Sequence, residues 1–257
     1  MGIPFQDGEQ NKMNKAICLD VKGMTKWFGG LAANQDIDFF IKEGEIVSII
    51  GPNGAGKSTL FNCITGFYKP NGGKVSFFGK DIYRMRADKI CKLGIARTFQ
   101  VVQVISDMTV LENVLTGALL RFDRIGPATE KALEVLAFTG LIEKKSFLGT
   151  ELTISDKKRL EVSMALATQP RLLMLDESMA GLTPVELREI IELITKIREQ
   201  GTTLVIVEHV MEAVMQISDR VIVLNSGRKI MEGVPKEVCA SPEVIQAYLG
   251  DKYRVVC

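Results

Sequence analysis

The segment Gly51-Pro-Asn-Gly-Ala-Gly-Lys57-Ser58 fits the spacing G-x-x-x-x-G-K-[ST], which turns successive backbone N–H groups inward on a phosphate chain. Gly51, Gly54 and Gly56, with Asn53 and Ala55 between them, permit that close backbone approach, and the helix expected next presents its positive N-terminus. Lys57 reaches the outer phosphates, Ser58 offers a hydroxyl to Mg2+, and Thr59 joins the nucleotide-contacting set. The other reading of this segment is a glycine-rich turn between strand and helix. A second reactive pair ends the apolar run Leu172-Leu-Met-Leu-Asp176-Glu177. Asp176, at a strand end beside the loop, can hold Mg2+ through water, and Glu177 can orient or deprotonate an attacking water. Taken alone, Glu177 also reads as a turn or capping carboxylate. His209 is the sole histidine, which excludes a histidine metal cluster and a Ser-His-Asp triad. It follows a strand and is expected at the same sheet edge as Asp176 and Glu177; its other reading is a satisfied surface or core residue.

The elements that must hold these residues are legible from periodicity. Ile37, Phe39 and Ile41 alternate with polar neighbours as a half-buried strand, and residues 45–50 form a buried strand running into the phosphate loop. Helix begins at Lys57; short strands are expected at 74–78 and 95–99. Residues 100–168 lose the strands and show three helical stretches, at 109–120, at 128–139 and from about Ser155. Strand and helix then alternate again: strand 171–175, helix 184–200, strand 202–207, helix 210–217 and strand 220–224. Such alternation implies a largely parallel sheet covered by helices. Helix 184–200 is best marked, with Thr183 as N-cap, Pro184 at its first turn, Glu186 closing a capping box and Gly201 past its end. Its expected apolar face is Leu187, Ile190, Ile191, Ile194 and Ile197.

Composition excludes several classes. The 257 residues, 46% hydrophobic and 25% charged, suit an ordinary globular chain rather than a disordered or collagen-like one. A net charge of +1 supplies no field for non-specific nucleic-acid binding. No apolar run approaches the roughly 18 residues of a membrane span. Residues 1–15 read as a polar tail without chemistry. The five cysteines are scattered without C-x-x-C, so neither a disulfide framework nor a zinc site is expected, and reduced cytosol is the natural setting.

The phosphate loop alone leaves ATPases, GTPases and kinases open. No Asn-Lys-x-Asp occurs, which disfavours a GTPase; Asn11-Lys-Met-Asn14 has the wrong last residue and precedes the loop. Taken together, the loop at Gly51, the run 172–177, Gly181-Leu-Thr-Pro184 and the strand-ending His209 resemble an ABC-transporter ATPase subunit. The resemblance covers about residues 16–250. Met108-Thr-Val-Leu-Glu-Asn-Val-Leu-Thr-Gly117, Asp219-Arg-Val-Ile-Val-Leu-Asn-Ser-Gly227 and Val244-Ile-Gln-Ala-Tyr-Leu-Gly250 are similar to the ATPases of branched-chain amino-acid importers. It implies an α/β fold: a P-loop NTPase core with a mostly parallel sheet, an N-terminal antiparallel β part and an inserted helical subdomain. The domain over 16–257 then divides into a nucleotide-binding core (16–99 and 169–257) and the helical subdomain (100–168).

The resemblance also implies roles. Gln100, in Arg97-Thr-Phe-Gln, would touch Mg2+ and link the core to the helices. Phe28, in Lys26-Trp-Phe-Gly-Gly, would stack on adenine, with neighbouring Trp27 a competing candidate. His209 would hold the outermost phosphate. Where the family carries Leu-Ser-x-Gly-Gln, this chain has Leu152-Thr-Ile-Ser-Asp156. Thr153 keeps a hydroxyl for phosphate or helix cap, Ser155 replaces a close-approach glycine, and Asp156 adds a negative charge that Lys157, Lys158 and Arg159 would offset. Those three also read as a solvated helix face. Thr153 and Ser155 are expected to meet a partner's nucleotide.

The implied activity is ATP hydrolysis with Mg2+, energising transport of branched-chain or related amino acids. The implied partners are a second ATPase subunit, alike or different, membrane permease subunits docking on residues 100–120, and indirectly a substrate-binding protein, with no nucleic acid. The implied location is the cytoplasmic face of the cell membrane. The altered signature motivates an alternative, an ATP-binding interaction subunit with low turnover. A soluble ABC-type ATPase in repair or translation is disfavoured by the neutral charge.

Overall fold

The computed structural model describes residues 15–100 and 102–249. The tail read over 1–15, apart from Lys15, lies outside the described residues, as do Val101, Gly250 and Cys257. The described chain forms two sheets and a helical layer.

The first sheet is antiparallel, ordered β2-β1-β4-β5, from β1 (Ile17–Phe28), β2 (Leu31–Lys42), β4 (Gly72–Phe77) and β5 (Lys80–Asp81). β2 extends the alternation seen at Ile37, Phe39 and Ile41, all buried between exposed neighbours. The twelve-residue β1 was not evident from periodicity, because register shifts interrupt its pairing near Gly23, between Val21 and Met24, and break the two-residue rhythm.

The second sheet holds β3 (Ile46–Ile50), β6 (Ile95–Arg97), β7 (Leu172–Asp176), β8 (Thr203–Val207), β9 (Arg220–Asn225) and β10 (Arg228–Gly233). Its order is β10-β9-β3-β8-β7-β6, parallel throughout except for the edge strand β10. β3, β7 and β8 are buried at every residue, which is why they read as unbroken apolar runs. β10 is partly exposed and polar, so it carries no such signal.

Helix α1 (Lys57–Ile64) lies between the sheets, packing Leu60, Phe61 and Ile64 against Leu19, Met24 and Ile49. On the far face, α6 (Pro184–Glu199) and α7 (Met211–Ile217) cover Leu173, Leu175 and Ile206. The α6 capping box is formed, with the Thr183 amide donating to Glu186 at 2.8 Å. Its buried face is Leu187, Ile190, Leu193, Ile194 and Ile197, whereas Ile191 is only partly covered. Leu193 is therefore part of the buried face and Ile191 only its edge, because the stripe follows the sheet contact and not the isoleucine spacing.

Short α2 (Ala87–Leu93) precedes β6. Between β6 and β7 lie α3 (Val110–Ala118), α4 (Ile125–Phe138) and α5 (Ile154–Ala167), which share their own apolar cluster of Val110, Val114, Ala132, Leu136 and Leu160. The C-terminal part closes with α8 (Pro235–Ala240) and α9 (Pro242–Leu249). Among the described residues, no helix is long and apolar enough to cross a membrane.

Candidate functional site

The loop after β3 is shaped by two glycines that tolerate no side chain. A Cβ on Gly51, at φ +152°, would lie 2.1 Å from the Leu224 carbonyl oxygen of β9. One on Gly56, at φ +99° and the N-cap of α1, would lie 2.3 Å from the Ala33 carbonyl of β2. The loop is thus wedged between both sheets. Asn34 Nδ2 donates to the Gly56 carbonyl at 3.1 Å, and the Gly227 amide donates to the Ala55 carbonyl at 3.1 Å.

Lys57 is only 7% exposed. Its Nζ donates to the carbonyls of Gly51 at 2.7 Å and Pro52 at 3.1 Å, closing the loop on itself. Burial pushes the ammonium below the ordinary lysine range, while Glu177 and Asp176 pull the other way.

A cleft of about 620 Å³ opens in front of this loop. It brings together Phe28, Asn53, Gly54, Ala55, Gly56, Lys57, Ser58, Thr59, Gln100 and Glu177, and adds Leu31, Ala32, Ala33 and Ser226. Gln100 Nε2 donates to Glu177 Oε2 at 3.0 Å. Glu177 sits at φ +51°, with its amide donating to the Val207 carbonyl of β8 at 2.9 Å. A non-glycine residue in that region stores local strain, a common feature of reactive positions. Phe28 stacks edge-on against Tyr68 with centroids 5.3 Å apart, and Lys26 Nζ lies 4.8 Å from its centroid. Trp27 is similarly exposed but does not line the cleft, since adjacent strand residues face opposite sides.

Asp176 lies behind Glu177 and is 2% exposed. Its Oδ2 pairs with Arg97 Nη2 at 3.0 Å, while Oδ1, also buried, has no hydrogen-bond partner. Arg97 also reaches Asn62 Oδ1 at 2.6 Å and stacks over Phe99 at 4.7 Å. Burial pushes the Asp176 carboxyl up, and Arg97 opposes the shift. Arg97, to which the sequence alone assigns no role, is a charge at the end of the apolar strand β6, and such a charge requires a partner.

Of the expected site residues, Gly51 and Asp176 lie outside the cleft's lining beside residues that form it, and His209, Thr153 and Ser155 stand away from it. His209 emerges at the expected edge, two residues past the β7–β8 pair Asp176 and Val207, but its side chain is exposed and outside the lining. Its neighbour Glu208 turns inward instead, buried, with Oε1 accepting from the Met179 amide at 2.7 Å. Thr153 and Ser155 open α5, where Thr153 Oγ1 accepts from the Asp156 amide at 3.1 Å. Asp156 is not a loose charge offset by Lys157, Lys158 and Arg159. Its Oδ2 accepts from Lys144 Nζ at 2.6 Å and from Thr153 Oγ1 at 2.8 Å. Burial raises its carboxyl, but those two donors outweigh it and hold the group below the usual range. Lys158 is instead bonded to the Ala180 carbonyl, and Arg159 pairs with Glu189 at 2.7 Å.

Residues 34–180, more than half of the chain, match the family model described as "ABC transporter". The chain belongs to the ABC transporter family. The last part of this ABC cassette, residues 228–254, matches the model "Branched-chain amino acid ATP-binding cassette transporter". The cassette is 42% identical over 249 residues to the high-affinity branched-chain amino acid transport ATP-binding protein LivG of Salmonella typhimurium, covering 91% of this chain and 98% of that one. It is 39% identical over 251 residues to the corresponding protein BraF of Pseudomonas aeruginosa, at the same coverage. A solved nucleotide-free ATP-binding cassette from an ABC transporter superposes with a TM-score of 0.84 at 32% identity, covering 91% of this chain and 100% of that one. A dimeric cassette in a post-hydrolysis state, bound to ADP and Pi, gives 0.77 at 28% identity, covering 84% and 98%. The mostly parallel sheet, the antiparallel β part and the helical insert are the fold of these ABC cassettes, and the chain is an ATPase of that family.

Proposed function

We propose that this ABC cassette is the ATP-hydrolysing subunit of an importer for branched-chain or related amino acids. The observation that carries the mechanism is the Gln100–Glu177 contact at 3.0 Å on the same cleft as Lys57. A carboxylate held by an amide beside the phosphate loop can position and deprotonate the water that attacks the outermost phosphorus. Lys57 exchanges its two loop carbonyls for phosphate oxygens, and the amides of residues 53–59 cradle the rest. Phe28 supplies a ring for adenine. His209, exposed at the same sheet edge as Asp176 and Glu177, would hold the outermost phosphate.

The residues present fit Mg2+. Asp176 Oδ1 is buried without a partner, and Ser58 and Gln100 add the hard oxygens this ion prefers. Mg2+, when bound, neutralises charge on the phosphate oxygens. Asp176 then serves through the oxygen that Arg97 leaves open.

Phosphate chemistry here requires partners. Thr153 and Ser155 lie at an outward-facing helix start, with Ile154 between them 71% exposed, and suit the nucleotide of a second ATPase subunit, alike or different. A groove of about 370 Å³ between the core and helices α3 and α5, bordered by Phe67, Phe99, Gln103 and Thr116, would seat a permease subunit. It adjoins the segment 100–120 that starts at Gln100. A substrate-binding protein would act through that permease, with the cassette on the cytoplasmic face of the membrane.

Glu177→Gln in the assembled transporter is expected to keep ATP binding and to slow hydrolysis about 10²- to 10⁴-fold. Wild-type turnover in that variant would move the catalytic role elsewhere. Uptake of radiolabelled leucine, isoleucine and valine into vesicles carrying the co-purified permease tests the substrate class. The altered Leu152–Asp156 segment supports a second reading, an ATP-binding subunit with little turnover, and parental hydrolysis no faster than the Glu177→Gln variant would favour it.

A further inference from the structure

The C-terminal stretch from Val244 to Tyr248 enters no step above, yet it reaches the phosphate loop. On α9, Val244 and Tyr248 pack onto Ile50, Val214, Val221 and Val223, the side of β3 and β9 remote from α1. The Tyr248 hydroxyl accepts a hydrogen bond from the Gly51 amide at 2.6 Å, across 197 positions of sequence. Gly51 is the residue whose carbonyl holds Lys57 Nζ at 2.7 Å. Both polar groups of this one peptide residue are therefore spoken for, the N–H by the C-terminal helix and the C=O by the lysine of the cradle. Its third side is closed by the Leu224 carbonyl, which leaves no room for a Cβ.

Burial pushes the Tyr248 phenol up to about 12, so its hydroxyl stays neutral across the physiological range. The Gly51 amide leaves the end of a fully buried strand, where an unpartnered N–H is costly. Without the phenolic oxygen, the Ile50–Gly51 peptide plane must rotate to find another acceptor, which changes the φ of Gly51 and so re-aims the following Gly51–Pro52 carbonyl that holds Lys57.

We propose that Tyr248 is a positioning residue for nucleotide binding, its hydroxyl fixing the Gly51 peptide so that the loop keeps its shape when Lys57 leaves the Gly51 carbonyl for phosphate. Tyr248 touches no nucleotide in this scheme and acts through Gly51. The proposal rests on the reading of residues 51–58 as the ATP cradle. It also gives the segment 228–254, which the branched-chain family model matches, a task in the ATP site.

The test uses the full-length chain and Mg-ATP in titration calorimetry, with four proteins: parent, Tyr248→Phe, Val244→Ala and Lys57→Ala. Tyr248→Phe keeps the ring and its packing and removes only the acceptor. It is expected to raise the Kd for ATP roughly 5- to 10-fold and to speed hydrogen exchange at the Gly51 amide. In the transporter it should raise KM by a similar factor with kcat unchanged at saturation. Val244→Ala loosens the same helix without touching the hydroxyl, and is expected to lower Tm while leaving the Kd within about twofold. If Tyr248→Phe binds ATP as the parent does, or if Val244→Ala weakens binding as much, the helix is packing alone and the proposal falls. Lys57→Ala separates the two layers. Lost binding there, with parental binding in Tyr248→Phe, keeps the cradle and removes only Tyr248; parental binding in Lys57→Ala overturns the cradle and the proposal together.

Discussion

Asp176 and Arg97 show what a buried charge requires of its neighbours. Their side chains are 1% and 7% exposed, so neither has water to fall back on. Replacing Arg97 by Met should strand the carboxylate and cost about 3–5 kcal/mol, read by urea denaturation. Adding Asp176→Asn to that variant should recover part of the loss, because the stranded group is then neutral. Gly51→Ala should fail more completely, since no flexible atom can yield at 2.1 Å from a strand carbonyl, and soluble yield is the readout. Lys57 was legible in the sequence because strand, glycine turn and helix place it locally, and Asp176 and Glu177 because they close the apolar run of β7. Arg97 was not, as its meaning depends on a partner 79 positions away. His209 stands at the sheet edge expected of it, whereas the inward turn of its neighbour Glu208 was not legible. Successive residues leaving a strand point to opposite sides, and which side meets the core is set by packing.

Helix starts were the most legible elements. Thr183-Pro-Val-Glu186 states its own structure, and Thr183→Ala should cost about 1 kcal/mol in chemical denaturation. The start of α5 is subtler. From sequence, Asp156 looks like a charge that spoils a nucleotide contact, yet it caps its helix through Thr153 and is neutralised by Lys144. Asp156→Ala is therefore expected to lower stability by about 1 kcal/mol and to free Lys144, measured by thermal melting beside Lys144→Ala. If the alanine variant melts like the parent, the cap is dispensable. Least legible were β1 and β10. Bulges disrupt the rhythm of one, and the other is an exposed edge with nothing apolar to repeat.

The layers of the whole molecule meet at Glu161. From α5 its carboxylate accepts from the amides of Phe99 at 2.8 Å and Gln103 at 3.5 Å, gripping the segment that carries Gln100. Burial pushes this group up to about 7, against those two donors and Arg97. The folded chain thus holds the Glu161 proton more tightly than the unfolded chain, whose carboxyl keeps its ordinary value of 4.5. The associated stability is complete below about pH 4.5 and disappears as pH rises through 7. Glu161→Gln keeps an oxygen acceptor and removes the titration. The stability difference between parent and variant should change by up to roughly 3 kcal/mol between pH 4.5 and 8, in the variant's favour at the higher pH. A pH-independent difference would show that Glu161 titrates normally. The chain leaves the sheet through β6 and returns through β7, and these are neighbours at its rim, with β6 the last strand. Whatever is spliced between two adjacent parallel strands lengthens a crossover without reordering the strands behind it. The helical layer is therefore an exchangeable cartridge: a homologous stretch that keeps Gln100, grafted between Thr98 and Arg171, should leave the register of β3, β8 and β9 intact and retain ATP binding in titration calorimetry.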